Sequence, residues 1–401
     1  MANALLTPTA VTREALRILH QKLNFVGSIN RQYDDSFAKS GAKIGDSLKI
    51  RLPNQYVVRT GATLAAQDTN ESSVTLQVAT QKGVDLNFTS VDLTLSLDDF
   101  SKRIIDPAMS VLAANVEADA LNMYKDVYNQ VNNHGVAANF GTVLAGRKIL
   151  VDNLVPAGDR TICLNSQDNL DMITDTKSLF NPQETIGKQY REGYLGRTAG
   201  FDFNENTLLP SHARGAATAA YTTSTLVAVY PLASTTPITS MTVATGTGAA
   251  AVGDIFTIAN VFRVHPETKQ STGVLQQFVV TSAFAGGAGT VNFAPGIVMS
   301  GAYQNVTIPT TSATAVVSFA GTISTNHGIS LGYHKDAFAF ATADLIMPDG
   351  VDWAARQNLD GLSMRIVRQY AIGSDTFPCR LDILYGYKTI RPNLAVRYAN
   401  K

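Results

Sequence analysis

The sequence predicts a mixed α+β protein with an inserted all-β domain. Three observations support this prediction: strand-like alternation in the first hundred residues, one long uninterrupted helical pattern after Pro107, and a sharp drop in charge between residues 215 and 330. That region holds four charged residues, whereas the whole chain of 401 residues holds 32 basic and 32 acidic ones; the four are Asp254, Arg263, Glu267 and Lys269. A composition change of this size indicates a separate domain.

The N-terminal region predicts an arm followed by a hairpin. Thr12 is a suitable N-cap for a helix over residues 13–23, and Leu16, Leu19 and Leu23 fall on one stripe of it. Apolar–polar alternation from Ser47, and again from Val74 onward, predicts two long antiparallel strands separated by residues 60–73. A two-stranded hairpin is marginal alone, so we expect the extended loop over residues 47–95 to lean on a partner.

A long helix is predicted to follow the hairpin. Asp106 and Pro107 form a good helix start, and the helical pattern continues to about Asn132. A shorter helix over residues 98–104 is expected before it. Helices over residues 143–151 and 167–174, with a strand over residues 161–164 between them, complete a mixed region.

The charge-poor region predicts a small β-barrel or β-sandwich, because short apolar runs alternate there with turn residues. The candidate strands cover residues 226–229, 241–243, 254–264, 275–281, 290–293, 305–308 and 315–319. The glycines that would supply turns with positive φ are Gly246, Gly248, Gly286, Gly287 and Gly289.

Composition favours an assembled protein over a solitary monomer. Charged residues are 16% of the chain and the net charge is zero, which promotes association and argues against a general nucleic-acid-binding surface. Residues 1–60 carry nine basic and four acidic side chains and residues 351–401 carry eight and four, so the middle is acidic. Basic and acidic parts can meet between neighbouring subunits, and solvated faces without partners are the alternative.

The residues that usually carry chemistry form no recognisable site. The six histidines show no metal-ligand spacing, so we expect satisfied surface or core histidines, no metal and no cofactor. Gly246, Gly248 and Ala251 imitate a dinucleotide fingerprint, but a strand follows them instead of a helix. Cys163 and Cys379 are expected to be buried thiols, with one long-range disulfide as the alternative. Residues 1–6 lack a basic signal region and no apolar run is a membrane span, which predicts cytoplasmic folding without a membrane partner.

Several segments resemble the major coat protein of tailed bacteriophages with the Hong Kong 97 capsid fold, in particular the branch of short-tailed Salmonella phages with an insertion domain. The resemblance covers nearly the whole chain. Its most specific segments are residues 45–51 (GDSLKIR), 100–121 (FSKRIIDPAMSVLAANVEADAL), 253–264 with 277–280, 331–345 (LGYHKDAFAFATADL) and 380–392 (RLDILYGYKTIRP).

The resemblance implies a domain plan for a virion protein that folds in the bacterial cytoplasm. It assigns residues 1–46 to an N-terminal arm, 47–95 to an extended loop, 96–135 to a spine helix and peripheral domain, 136–221 and 326–401 to an axial domain that returns to the peripheral domain, and 222–325 to the inserted β-domain. It also implies a non-enzymatic major capsid protein that forms hexamers and pentamers around double-stranded DNA. Scaffolding protein and a portal protein at one vertex are the further partners it implies.

Candidate contacts between subunits follow from the arm, the extended loop and the charged turn of the insertion. They are Arg13, Leu16, Lys49, Arg51, Arg59, Arg263, Glu267 and Lys269. Relatives carry a charged loop where residues 230–241 of this chain have no charge, so the turn from Arg263 to Lys269 is the candidate substitute. The alternative from another class is a receptor-binding or carbohydrate-binding virion adhesin, which predicts a trimer with a ring of surface aromatics.

Overall fold

The structure, a computed structural model, describes residues 8–31, 47–64, 66–67, 71–89, 105–176, 197–218, 221–223, 230–309, 314–359 and 362–401. Contacts within the chain divide it into two compact units. The first unit comprises Met1–Ile50, Ser73–Leu121 and Phe338–Ile390, and the second comprises Arg51–Ser72, Asn122–Ala337 and Arg391–Lys401.

The described residues contain helices and strands in mixed order. The α-helices are α1 (Pro8–Lys22), α2 (Phe25–Ser28), α3 (Asp106–Leu121), α4 (Phe140–Asp152) and α5 (Ser166–Thr176). The strands are β1 (Ser47–Arg51), β2 (Ser73–Gln77), β3 (Thr80–Thr89), β4 (Gln130–Asn132), β5 (Arg160–Leu164), β6 (Arg197–Thr198), β7 (Phe201–Glu205), β8 (Ser211–Ala213), β9 (Tyr221–Thr223), β10 (Ile238–Thr245), β11 (Ile255–Val264), β12 (Ser271–Val280), β13 (Gly289–Ile297), β14 (Val306–Thr307), β15 (Val316–Phe319), β16 (Asn326–His334), β17 (Phe338–Ala343), β18 (Trp353–Leu359), β19 (Leu362–Arg368), β20 (Thr376–Thr389) and β21 (Ala395–Ala399).

The first unit is a five-stranded sheet covered by helices. The 14-residue strand β20 pairs with β17, β19 and β3, and β18 continues the sheet beyond β19. Helix α1 packs on β18, β19 and α3, while α3 also contacts β3. Apolar side chains such as Leu16, Leu112 and Ile383 are almost completely buried in this unit. The sheet and helices therefore share one core.

The second unit contains a seven-stranded mixed sheet. Its strand order is β4-β21-β16-β5-β7-β6, with β8 attached to β16, and the β21–β4 and β5–β7 pairs are parallel. Helix α4 packs on β21 and β4, and α5 packs on β5. Asn139 caps α4 by accepting a hydrogen bond from the Thr142 backbone N–H at 2.9 Å, which places the helix start three residues before the predicted one.

The charge-poor region is a closed β-barrel in the same unit. Antiparallel pairing runs β9-β10-β13-β12-β11-β15 and back to β9, so six strands close on themselves, and the short β14 pairs with β11. Phe256, Phe278 and Phe293 fill the interior with ring centroids 5.1–5.9 Å apart. Closure removes the exposed edges that short neutral strands would otherwise present.

The two connections between the barrel and the seven-stranded sheet run side by side. Strand β8 pairs with the start of β16, where His212 lies opposite His327, and the Arg214 backbone N–H donates to the Thr325 carbonyl at 3.2 Å. Gly248 lies against this passage with a positive φ of 88°, and a Cβ there would overlap the Ala216 carbonyl. Close backbone approach, and not a phosphate, therefore explains this glycine.

Most predicted elements lie where expected, but the long helix is shorter than predicted. The α-helix ends at Leu121, and a 3₁₀ turn over Asn122–Asp126 follows it. Residues 130–132 leave the helical path because they form β4 beside β21, so tertiary pairing overrides local propensity. Thr12 is a buried residue inside α1 and not its N-cap, since the helix begins at Pro8.

The predicted hairpin is also smaller than expected. Strands β1 and β2 have five residues each and form a two-stranded sheet, whereas the next alternating segment belongs to β3 and pairs with β20 over ten residues. The long strand β20 offers β3 a full set of backbone partners, which a free hairpin lacks. The predicted helix over residues 98–104 lies outside the described residues, and so does the predicted strand over residues 226–229. Both cysteines are buried thiols that form no disulfide with each other.

Candidate assembly surfaces

Of the two candidate contact residues in α1, one lies on the surface and the other lies in the core. Arg13 is exposed, but Leu16 has no exposed surface because its stripe packs inside the first unit. Leu16 is therefore buried within its own unit, and its contact with a neighbouring subunit stays a prediction. Behind the arm, the buried Glu117 of α3 accepts hydrogen bonds from the backbone N–H groups of Phe25 and Val26. This carboxylate fixes the chain where it leaves α1.

The loop between β1 and β2 exposes apolar side chains. Val58 is 90% exposed and Leu64 83% exposed, and Tyr56 is also exposed. Two hydrogen bonds join described residues of the loop, because the Gln67 side chain accepts from the Val57 N–H at 2.9 Å and donates to the Val57 carbonyl at 2.6 Å. Exposed apolar side chains of this kind are typical of a surface that becomes covered on association.

Three basic candidate contact residues lie close in sequence to these exposed apolar side chains. Lys49, Arg51 and Arg59 are all exposed, with Arg51 paired to Glu71 at 2.7 Å and Arg59 donating to the Gly61 carbonyl. Exposed ion pairs of this kind contribute about 0–1 kcal/mol. Their cationic groups therefore remain available to a partner at little cost in folding stability.

The base of β3 is tied to α3 by a polar triad in the first unit. Lys82 lies 2.7 Å from the Asp119 carboxylate, and the Tyr385 hydroxyl donates to the same oxygen at 2.5 Å. Burial, together with this hydrogen bond to Asp119, raises the pKa of Tyr385. The triad joins β3, α3 and β20, which are far apart in sequence.

The charged turn of the barrel is engaged within the chain. Arg263 forms an ion pair with Asp152 at the end of α4, with 3.1 Å between Nη2 and the carboxylate. Lys269 donates to the Gln304 carbonyl at 3.3 Å and to the Gln55 side chain at 3.4 Å, and burial lowers its pKa. Glu267 is exposed. Arg263 and Lys269 thus hold the barrel turn against its own unit, a role that their sequence context did not predict.

A second set of contacts joins the barrel to the seven-stranded sheet. The Gln277 amide accepts from the Gln130 backbone N–H at 2.8 Å and donates to the Gln130 carbonyl at 2.9 Å. His212 contacts the Asp254 carboxylate at 2.9 Å, and the other nitrogen of His212 is hydrogen-bonded to the Tyr124 hydroxyl at 3.0 Å. The sequence predicted satisfied surface or core histidines without identifying their partners. The one available signal was Asp254, the first acidic residue after a long uncharged run.

The described residues show neither a metal-ligand cluster nor a membrane-spanning helix. No group of three or more histidine, cysteine, aspartate or glutamate side chains in that part of the chain could hold a metal ion. Within the same residues, no helix combines the length and the apolar character needed to cross a bilayer. The candidate functional features that remain are the exposed loop surface and the contacts that attach the barrel to the rest of its unit.

Comparison with known proteins places this arrangement in a family. The sequence matches the family model described as P22 coat protein, gene protein 5, over residues 19–397. Among solved structures, the fold is similar to one from Mycobacterium phage Che8, with a TM-score of 0.50 and 12% identity, covering 94% of this chain and 90% of that chain. A search of curated proteins finds no match.

Two further capsid structures are similar at lower scores. The capsid of the cyanophage P-SCSP1u has a TM-score of 0.43 and 11% identity, covering 89% of this chain and 84% of that one. The mature capsid of bacteriophage PhiM1 has a TM-score of 0.43 and 9% identity, covering 90% and 83%.

The fold and the family match together define the class of protein as a phage capsid protein. A match over residues 19–397 leaves little of the chain outside the family. The chain belongs to the P22 coat protein family. It is a major capsid protein, it self-assembles into a shell, and its location is the virion.

Proposed function

We propose that this coat protein assembles as hexamers and pentamers, with the loop over residues 52–72 lying on a neighbouring subunit. The exposed Val58 and Leu64 carry this proposal, because they are large apolar side chains that the described residues of the chain leave in solvent. The exposed Arg13, Lys49, Arg51 and Arg59 are the proposed cationic contacts to neighbouring subunits. Many weak contacts of this kind become a stable shell through multivalency.

The proposal includes partners and excludes catalysis. The shell encloses double-stranded DNA without sequence specificity, a scaffolding protein guides assembly, and a portal protein occupies one vertex. Family membership supports these partners, and the balanced charge of 32 basic and 32 acidic residues is consistent with a wall that holds DNA without binding a sequence. The protein acts through assembly, and no chemical step is assigned to it.

The adhesin alternative is less well supported. It requires a ring of surface aromatics on the β-domain, and among the described barrel residues Tyr303 is the exposed aromatic, at 37%. The barrel is attached to the seven-stranded sheet by Gln277 and Asp254 and to α4 by Arg263, which suits a module held in a shell.

The test replaces the exposed apolar residues of the loop. A Val58→Asp/Leu64→Asp variant should fold, because both side chains are already in solvent, but its subunits should fail to form shells. Thr60→Asp in the same loop is the matched control, since it adds a charge at a polar position, and it should still assemble. Sedimentation and electron microscopy measure shells, and circular dichroism measures folding. Normal shells from the double variant would refute the proposed role of the loop.

A further inference from the structure

A buried polar cluster lies where the barrel joins the seven-stranded sheet. The rings of His134 and His327 meet edge to face with centroids 4.4 Å apart, and His327 lies 5.4 Å from His212 in the same way. Arg397 of β21 has 1% exposure, and its guanidinium lies 5.9 Å from the centre of the Tyr124 ring. Tyr124 contacts His212, so these groups form one connected cluster.

Several nitrogen atoms of this cluster have no partner in the described part of the chain. Nη2 of Arg397 donates to the Gly253 carbonyl, but Nε and Nη1 of the same buried guanidinium have no acceptor. Nε of Arg214, Nδ1 of His134 and Nε2 of His327 are also buried without a partner. Unpaired buried polar groups are costly. The three unpaired guanidinium nitrogens can only donate, whereas the unpaired oxygen of the cluster is Oε1 of Gln130, which indicates a shortage of acceptors.

The tautomer of His134 strengthens this conclusion. The side-chain Nε2 of Gln130 lies 3.2 Å from Nε2 of His134. An amide nitrogen can only donate, so Nε2 of His134 accepts and the hydrogen of the neutral ring is on Nδ1. The unpaired Nδ1 is therefore a donor that points at no acceptor.

The charge of the cluster is positive. Arg397 and Arg214 are both buried, and Asp254 is the buried carboxylate beside them. Asp254 already accepts from His212 at 2.9 Å, from the Ala251 N–H at 2.8 Å and from the Gly215 N–H at 3.1 Å. Lys125, half-buried beside the Tyr124 ring, adds a further cation at the edge. Among the described residues, one buried positive charge of the cluster therefore remains without a counter-ion.

His134 and His327 do not supply additional charge near neutral pH. Burial and the neighbouring Arg397 lower the pKa of His134, and burial with His134, His212 and Arg397 lowers the pKa of His327 to about 3. Neutral imidazoles still carry one N–H donor each. The cluster thus combines one excess positive charge with several unpaired donors.

We propose that this junction binds one small monovalent inorganic anion of the chloride class, held by Arg397 and the neighbouring imidazole N–H groups. A monovalent anion matches the single excess charge, and a halide accepts from donors in any direction without needing a donor in return. Bound there, it joins β21 and β16 of the sheet to the loop that precedes β11. The proposal concerns the folding of one subunit and is independent of how subunits assemble.

The test measures thermal unfolding of the unassembled full-length chain. Sodium chloride replaces sodium gluconate stepwise from zero to about 200 mM at constant ionic strength, so that general screening stays unchanged. The wild type should show a saturable rise of about 2–5 °C in the midpoint of unfolding, because an anion that binds the folded state stabilises it by mass action. No saturable rise in the wild type would overturn the proposal, and would mean that water alone meets these donors.

Three variants test whether the chloride response arises at this cluster. Arg397→Met removes the charge with a side chain of similar length, so the variant should remain stable in gluconate and lose the response to chloride. His327→Phe keeps the ring packing and removes one hydrogen-bond donor, so it should weaken the chloride response. If Arg397→Met fails to fold, the response of His327→Phe tests the proposed site instead. Lys148→Met removes an exposed cation of α4 and is the matched control, with the response retained. An unchanged response in both cluster variants would refute the site.

Discussion

Replacing Gly146 by alanine should destabilise the second unit, although alanine normally stabilises a helix. Gly146 is buried in the middle of α4, where Gly→Ala at an ordinary position gains about 1 kcal/mol. Here a Cβ would lie within 2.5 Å of the hydroxyl oxygen, Cζ and Cε1 of Tyr398. Tyr398 is 2% exposed and belongs to β21, which is paired on both sides by β4 and β16, so its ring cannot withdraw.

The size of the effect follows from two opposing contributions. Overpacking of a rigid core costs about 3 kcal/mol at the upper end of the usual range, and the helical gain offsets about 1 kcal/mol of it. We therefore expect a net loss of about 2 kcal/mol, or a midpoint about 4–8 °C lower. Urea unfolding of the unassembled subunit, followed by circular dichroism, measures the loss.

A second substitution separates the contact from the helix. The buried Tyr398 hydroxyl has no hydrogen-bond partner among the described residues, so Tyr398→Phe should be neutral or stabilising. It should also reduce the cost of Gly146→Ala, giving a coupling of about 0.5 kcal/mol or more in a double-mutant cycle. Ala145→Gly, at an exposed position one residue earlier, is the control and should cost the usual 0.5–1 kcal/mol or so. A Gly146→Ala variant that is more stable than the wild type would refute this reasoning.

Three further predictions concern the spine helix, a buried carboxylate and the barrel. Leu112→Asp places a charge in the buried face of α3 at a cost of about 3–5 kcal/mol, so the variant protein should become insoluble. Val111→Asp changes a neighbouring residue that is 59% exposed, so this control variant should stay in the supernatant after centrifugation. Equal solubility of the two variants would contradict the assignment of the buried face. Burial raises the pKa of Asp168. The protonated carboxyl therefore stabilises the folded state fully below the unfolded-state pKa of about 3.9, and this stabilisation is lost as pH rises through the folded-state pKa. Asp168→Asn should therefore gain stability relative to wild type between about pH 4 and pH 7 in urea titrations, and parallel pH profiles would count against it. Residues 215–325, expressed alone, should unfold cooperatively with a β-type dichroism spectrum, since the six strands close without help from the rest of the chain; a disordered fragment would show otherwise.

Local patterns in the sequence determined the type and approximate position of most elements. The apolar–polar alternation of the uncharged region predicted strands that became β10, β11, β12, β13, β14 and β15, because each has a period that its own residues set. Pro107 and Asp106 marked the start of α3 for an equally local reason, the fixed φ of proline and an acidic residue in the first turn. Four of the five turn glycines, Gly246, Gly248, Gly286 and Gly287, have the positive φ that was predicted.

Only the tertiary structure decided which of these elements meet. Closure of the barrel depends on β9 pairing with β15, nearly a hundred residues later, and the end of α3 depends on β4 pairing with β21 near residue 397. The burial of Leu16 depends in the same way on β18 and β19, which follow it by more than three hundred residues. The histidine cluster joins His134, His212, His327 and Arg397, four residues whose local context shows nothing unusual. Pairing and burial are long-range interactions whose partners no local period can specify, which is why the sequence predicted the elements and the fold alone brought these residues together.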